Sequence, residues 1–479
     1  MGDVKGMWIG EHWRSGRRST PNINPSDTND IVGQYAEGDA SDVNAAVSAA
    51  VDAAPAWAAS TPQQRHDILA RVGNDILAHQ TEIGTLLARE EGKTLREGVG
   101  ETVRAGNIFL FFAGEALRLG GDKLASLRPG VEVDVMREPV GVVGIIAPWN
   151  FPIAIPAWKI APALAFGNTV VMKPAELTPA CSWVIADTLE RAGLPAGVFN
   201  LVMGPGNIVG HAMLEDARIN AITFTGSQAT GARVVEACAR HMRQAQLEMG
   251  GKNPLVVLDD ADLDQAVDCA IDGAFYSTGQ RCTASSRLIV TQDIHNRFVE
   301  RCAERLRALN VGDALDEKTD IGPVASEAQL EQNLKYVDTA RREGGSIRFG
   351  GERLDRGKPG FYMSPALITE TTPQMTINRE EVFGPVASVI RVRDYDEALA
   401  VANHTPFGLC AGICTTSLKH ATDFRQKAKA GMVMVNLPTA GVDYHVPFGG
   451  TKASSYGQRE QGQYAKEFYT QIKTAYTRA

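Results

Sequence analysis

The chain reads as an α/β protein built on parallel sheets with crossover helices, and three features predict this. Short apolar runs at 141–147, 169–172, 199–202, 221–224 and 255–258 have the length of strands buried on both faces. Capped helical stretches lie between them, such as one opening at Thr178-Pro179 and ending at Gly193. With 479 residues the chain exceeds one compact core, so two or more large domains are expected.

Residues 1–40 are rich in Gly, Pro and Asn and suit an irregular arm with short strands. Val43, Ala46, Val47, Ala50 and Val51 then keep helical spacing. Thr61-Pro62-Gln63-Gln64 is a capping box with proline at the first helical position, ahead of Ile68, Leu69, Val72, Ile76 and Leu77. Helix continues to about Leu119. The 131–136 stretch alternates with period two, as a half-exposed strand does. After the first strand series a second α/β series runs from about Arg287 to Asn436, with strands at 288–290, 388–392 and 432–435. Its helices are read at 293–309 and 326–343, and residues 466–477 are again extended.

A formal net charge of −8 argues against a nucleic-acid or anionic-membrane partner. Seven cysteines form no C-x-x-C pair, which suits free thiols in a reducing compartment, and no metal site is expected. The first eighteen residues lack the apolar core of a signal peptide. The most apolar tract, 140–165, is broken by Pro148, Asn150, Pro152, Pro156 and Lys159 and is too interrupted to span a bilayer. A cytoplasmic protein is the expectation.

One cysteine stands apart from the others. Residues 263–276 read as a helix and 287–291 as a buried strand, and Gly279-Gln280-Arg281-Cys282-Thr283 is the polar break between them. Gly279 would let the backbone approach a ligand, and Arg281 would favour a thiolate at Cys282. A small buried cysteine is the simpler alternative. Other polar turns follow strands in the same way. Asn150 can donate to an oxyanion or bond its own backbone. Lys173 and Glu176 can bracket a ribose or form a surface ion pair. Phe224-Thr225-Gly226-Ser227 opens a helix whose N-terminus suits pyrophosphate, although Ser227 also fits a plain N-cap and no G-x-G-x-x-G is present. Glu248, before Gly250-Gly251, can serve as a desolvated general base or as a capping residue.

Together these turns resemble the NAD(P)-dependent aldehyde dehydrogenase superfamily over nearly the full chain. The resemblance rests on PWNFP at 148–152, KPAE at 173–176, FTGS at 224–227, EMGGK at 248–252, GQRC at 279–282, EEVFGPV at 380–386 and PFGG at 447–450. It implies that Cys282 is the nucleophile, Glu248 the base for the deacylating water, and Asn150 with the Cys282 N–H the oxyanion hole. Lys173 and Glu176 would hold the adenosine ribose, Ser227 the pyrophosphate, and Glu381 the nicotinamide ribose with Phe383 beside the ring. Pro148, Trp149, Gly206, Thr225, Gly226, Met249 and Gly250 complete the implied cofactor set. Met249 replaces the family's common leucine.

The implied fold is a Rossmann-type cofactor domain (1–120 and 140–250, with 448–466 returning to it), an α/β catalytic domain (251–447) and oligomerisation strands (121–139 and 467–479). Such strands leave edges that need covering, so a homodimer or homotetramer is expected. The mouth segment 436–448 resembles the branch that oxidises α-ketoglutaric semialdehyde to 2-oxoglutarate. Arg281 supports an anionic aldehyde, unless it pairs within the protein. Phe151, Trp158 and Phe448 would form aromatic walls, with Tyr444 and His445 nearby. Succinate semialdehyde or an aromatic aldehyde is the alternative substrate. Glu176 favours NAD over NADP, because a carboxylate repels a 2′-phosphate.

Overall fold

A computed structural model describes residues 3–478; Met1, Gly2 and Ala479, at the ends of the expected first domain and last strand, lie outside it. Two large sheets, a small three-stranded sheet and two two-stranded antiparallel pairs near the N-terminus organise the described residues. The first large sheet orders its strands Ser455–Tyr456, Gln244–Glu248, Ala221–Thr225, Val142–Ile146, Thr169–Lys173 and Phe199–Leu201. All pair in parallel except the short Ser455–Tyr456. Four of these strands lie side by side and end at Glu248, Thr225, Ile146 and Lys173, so the polar turns singled out in the sequence emerge together. Strand order reverses between Val142–Ile146 and Ala221–Thr225, the position where open α/β sheets form a ligand crevice.

The second sheet has the order Ser346–Phe349, Ala366–Thr371, Val386–Val392, Arg287–Thr291, Pro254–Val257, Cys410–Cys414 and Met432–Val435. Only Ser346–Phe349 runs antiparallel. In the small sheet Val131–Pro139 pairs antiparallel with Thr470–Arg478 along its whole length and with Asp122–Ala125. Leu124, Ile472 and Tyr476 are exposed on it.

The helices show why these sequences fold as they do. The Thr61–Gln64 capping box forms reciprocally, as does a second one between Thr94 and Glu97 that starts Leu95–Ala116. On that helix Glu97, Glu101 and Arg104 fall three and four residues apart and share one face. The helix Ala154–Ala165 is buried along its whole length, so its apolar run is core and not a membrane span. Among the described residues no helix is long and apolar enough to cross a membrane.

Two expectations need correction, and the first concerns residues 466–469, which form a helical turn, Lys466–Tyr469, with the extended stretch beginning at Thr470. Thr178 precedes the helix Pro179–Arg191 but makes no side-chain cap. Instead the Glu90 carboxylate accepts from the N–H groups of Ala180 and Cys181, both at 2.9 Å. The strand Gln244–Glu248 was absent from the sequence reading because Gln-Ala-Gln-Leu-Glu carries little apolar signal. Its Gln246 is buried and donates to the carbonyls of Gln458 and Arg459, so a polar residue is satisfied inside the sheet.

Candidate active site

The cysteine loop is held in an unusual backbone. After the helix Leu263–Phe275, Ser277, Thr278 and Gly279 take φ of +49°, +55° and +63°. Left-handed backbone at two successive non-glycine residues, Ser277 and Thr278, is strained and persists only when neighbours fix it. Glu97 accepts from the Ser277 N–H at 2.7 Å, and the Gln280 carbonyl accepts from Asn150 Nδ2 at 2.9 Å. Asn253 Nδ2 then donates to the Cys282 carbonyl at 2.8 Å. Gly279 serves this packing and not a ligand: a Cβ there would lie 2.2 Å from the Gly384 carbonyl oxygen.

Cys282 forms part of two cavities. One, of about 370 Å³, is lined by Phe151, Trp158, Phe448 and Arg281, and also by Glu97, Glu101 and Arg104. Trp158 and Phe448 face each other at 5.4 Å between ring centres. Tyr444 and His445 are not in this wall. Tyr444 packs on Phe111 at 6.2 Å, His445 is exposed, and the mouth segment contributes Gly441 and Val442 instead.

The other cavity, of about 320 Å³, lies at the sheet crevice. Pro148, Trp149 and Asn150 form one side of it, and Thr225, Gly226 and Ser227 another. Met249, Gly250, Glu381 and Phe383 close it. Trp149 and Phe383 meet edge to face at 5.4 Å. Ser227 caps the helix Gln228–Arg240, so its N-cap role and its place in the cleft coexist. A third cavity includes Lys173 and Gly206. There Glu176 accepts from the Gly206 N–H at 2.7 Å and lies 4.0 Å from Lys173 Nζ.

The charges follow from burial. Glu248 is buried; Ser455 Oγ donates to its Oε2 at 2.6 Å, while its Oε1 has no partner. Burial and then Glu460 push its carboxyl well above the ordinary range. Burial, then Glu381 and Glu248, also push the Cys282 thiol up. Arg281 therefore does not set the thiolate as the sequence suggested; its guanidinium lies 3.5 Å from Asp272. Burial raises Glu381 to about 7, against the Gly251 N–H that donates to it at 2.8 Å.

Three groups escaped the sequence reading. Lys159 and Glu460, 301 residues apart, form a buried ion pair beside Thr223, within electrostatic reach of Glu248. Asn253 ties the Cys282 loop to the Cys410 N–H at 2.9 Å. Lys93 donates to Glu101 and to the Asn150 carbonyl. Only the position of Asn253 just after EMGGK offered any sequence signal.

A dinucleotide fits the crevice on the structure's own terms. Thr225 Oγ1 is buried there without a partner, and a Cβ on Gly250 would sit 2.0 Å from Glu381 Oε2, so glycine lets that carboxylate lie over the cleft. The model of the aldehyde dehydrogenase family matches residues 13–475. The chain belongs to that family. It is an NAD(P)-dependent aldehyde dehydrogenase, and aldehyde oxidation through a cysteine thioester is its chemistry. The alpha-ketoglutaric semialdehyde dehydrogenase of Bacillus subtilis is 46% identical over 95% of this chain and 94% of its own. The alpha-ketoglutarate semialdehyde dehydrogenase of Haloferax volcanii is 42% identical, covering 99% and 98%. The structure of betaine aldehyde dehydrogenase from Staphylococcus aureus in complex with NAD+ superposes with a TM-score of 0.96 at 34% identity, covering 99% of this chain and 95% of that one.

Proposed function

We propose that this aldehyde dehydrogenase oxidises α-ketoglutaric semialdehyde to 2-oxoglutarate, with Cys282 as nucleophile and NAD as preferred cofactor. The observation that carries the catalytic assignment is that Cys282 is common to the aromatic cavity and the crevice cavity. A substrate entering one and a nicotinamide entering the other would meet at its sulfur.

Lys173, Glu176 and Gly206 would hold the adenosine end, Thr225, Gly226 and Ser227 the pyrophosphate, and Glu381 with Phe383 the nicotinamide ribose and ring. Bound nicotinamide supplies the hydride acceptor. The residues of the chain do the rest. Cys282 gives its proton to solvent water and its sulfur attacks the aldehyde carbon, giving a tetrahedral thiohemiacetal. Asn150 Nδ2 has a second N–H beyond the one given to Gln280, and with the Cys282 N–H it stabilises the adduct oxygen. Loss of one such donor typically costs roughly 10²–10³ in rate. After hydride departure the acyl group remains on sulfur as a thioester. Glu248 takes a proton from water, the resulting hydroxide attacks the thioester, and the carboxylic acid leaves as the thiol reforms.

The substrate assignment draws on the relatives acting on α-ketoglutaric semialdehyde and on the cationic Arg281 in the cavity wall. A second reading, an aromatic aldehyde, is favoured by the facing rings of Trp158 and Phe448. Comparing kcat/KM for α-ketoglutaric semialdehyde, succinate semialdehyde and benzaldehyde, with both NAD and NADP, tests the choice. The five-carbon keto acid should lead with NAD, and a wide lead for benzaldehyde would overturn it. Glu176 is the basis of the NAD preference.

In this reading the six-stranded sheet belongs to the cofactor domain and the seven-stranded sheet to the catalytic domain. The exposed Leu124, Ile472 and Tyr476 and the free edges of the small sheet support a homodimer or homotetramer. Free thiols and net charge of −8 favour a cytoplasmic enzyme without a nucleic-acid partner.

A further inference from the structure

The charged groups of the aromatic cavity differ in how fully the protein satisfies them. Glu97 accepts from the N–H groups of Thr94 and Ser277. Glu101 accepts from Lys93 Nζ at 2.7 Å and from the N–H groups of Ile153 and Ala154, both at 3.1 Å. Asp272 lies against Arg281 at 3.5 Å. Arg96 is exposed at the rim. Two arginines of the cavity, Arg104 and Arg281, have an Nε buried without an acceptor, and of this pair Arg104 is the one with no carboxylate facing it, since Asp272 faces Arg281. The hydrogen bond of Arg104 is a single one to Gln461 Oε1 at 3.2 Å. Among the described residues no carboxylate lies within 4.0 Å of it.

The guanidinium is nevertheless fixed. It stacks over Trp158 with its central carbon 5.6 Å from the ring centre, and its stem rises from the long capped helix Leu95–Ala116. Gly100, one turn earlier on that helix, also lines the cavity, and a Cβ there would meet nothing within 4 Å. Space is therefore left beside a cation with no carboxylate in contact. The negative groups that act on it from further off are Glu101 and then Asp443.

We propose that Arg104 receives the carboxylate of the substrate and sets the enzyme's preference for aldehydes carrying an anion at their far end. A planar guanidinium with unused donors matches a carboxylate in a two-pronged pair, and desolvation by Trp158 strengthens that pair. Arg281, already facing Asp272, is the weaker candidate for this contact. The role rests on the semialdehyde reading of the enzyme, and the test separates the two.

The ratio of kcat/KM for α-ketoglutaric semialdehyde to that for propanal is measured in wild type, Arg104→Gln and Arg104→Lys. Arg104→Gln should lower the ratio about 100-fold, as expected when one partner of a desolvated charge pair is removed. Arg104→Lys, keeping charge without the fork, should give an intermediate ratio. A structural role alone would depress both substrates together and leave the ratio unmoved, which overturns the proposal. If Arg104→Gln does not fold, the lysine variant decides, and a ratio equal to wild type counts against Arg104. If wild type itself shows no preference for the anionic aldehyde, the semialdehyde reading falls. If that preference is present but indifferent to position 104, the Arg104 role falls alone.

Discussion

Lys93 Nζ donates to the backbone carbonyl of Asn150 at 2.7 Å, while Asn150 Nδ2 reaches the loop of Cys282 through the Gln280 carbonyl at 2.9 Å. A buried ammonium thus fixes the turn that carries the oxyanion donor. The same Nζ pairs with Glu101 at 2.7 Å, and both side chains are almost fully buried. Removing one partner of a buried ion pair strands the other. Lys93→Met should therefore lower stability by about 3 kcal/mol, measured by chemical denaturation. Its kcat should fall as the Asn150 turn loosens, and a variant with wild-type stability and kcat would remove this tether.

Glu248→Gln should form about one equivalent of NADH per site in a burst and then stall, because an amide cannot take the proton from water. In wild type the raised carboxyl is protonated at a pH where an ordinary carboxylate is already ionised. Deacylation should therefore accelerate as pH rises beyond the ordinary carboxylate range, with slow turnover below it. Stopped-flow absorbance of NADH across pH checks both expectations. A linear steady state without a burst in Glu248→Gln would assign the base elsewhere.

Glu381 gives a stability prediction with a definite sign. Its folded-state value is about 7, above the unfolded value of about 4.3. The folded state holds the proton more tightly, so stability falls as pH rises from about 4.3 through about 7. Glu381→Gln should remove that loss and melt higher than wild type at pH about 8, with the difference shrinking as pH drops toward about 4. Thermal melts in the absence of cofactor read this directly. A lower Tm for the variant at the alkaline end would contradict it.

Gly250→Ala would bring a Cβ to 2.0 Å from Glu381 Oε2, so the carboxylate must move from its position over the crevice. KM for NAD should rise, about tenfold, with a smaller change in KM for the aldehyde. An unchanged KM for NAD would take Glu381 out of the ribose site.

The fold class was legible because buried parallel strands write themselves as unbroken apolar runs, as Val142–Ile146 and Pro254–Val257 do. Gln244–Glu248 was not, since its polar side chains are satisfied by a return segment more than two hundred residues later. The site motifs could be found singly because each follows a strand end, yet only the sheet order brings the turns of Asn150, Thr225 and Glu248 to the ends of neighbouring strands. Long-range partners such as Lys159 with Glu460 leave no local pattern. Arg281 drew attention by adjacency to Cys282, whereas Arg104 came into view only once helix and cavity were seen together. Tyr444 and His445 were misjudged because adjacency in a mouth loop does not determine which side chains turn inward.

The most direct measurement is mass spectrometry of the enzyme quenched during turnover of α-ketoglutaric semialdehyde with NAD, using Glu248→Gln to hold the thioester. The peptide bearing Cys282 should carry the added mass of the acyl group, and Cys282→Ala should carry none while still binding NAD. Acyl mass on another cysteine, or on none while NADH accumulates, would contradict a nucleophilic role for Cys282.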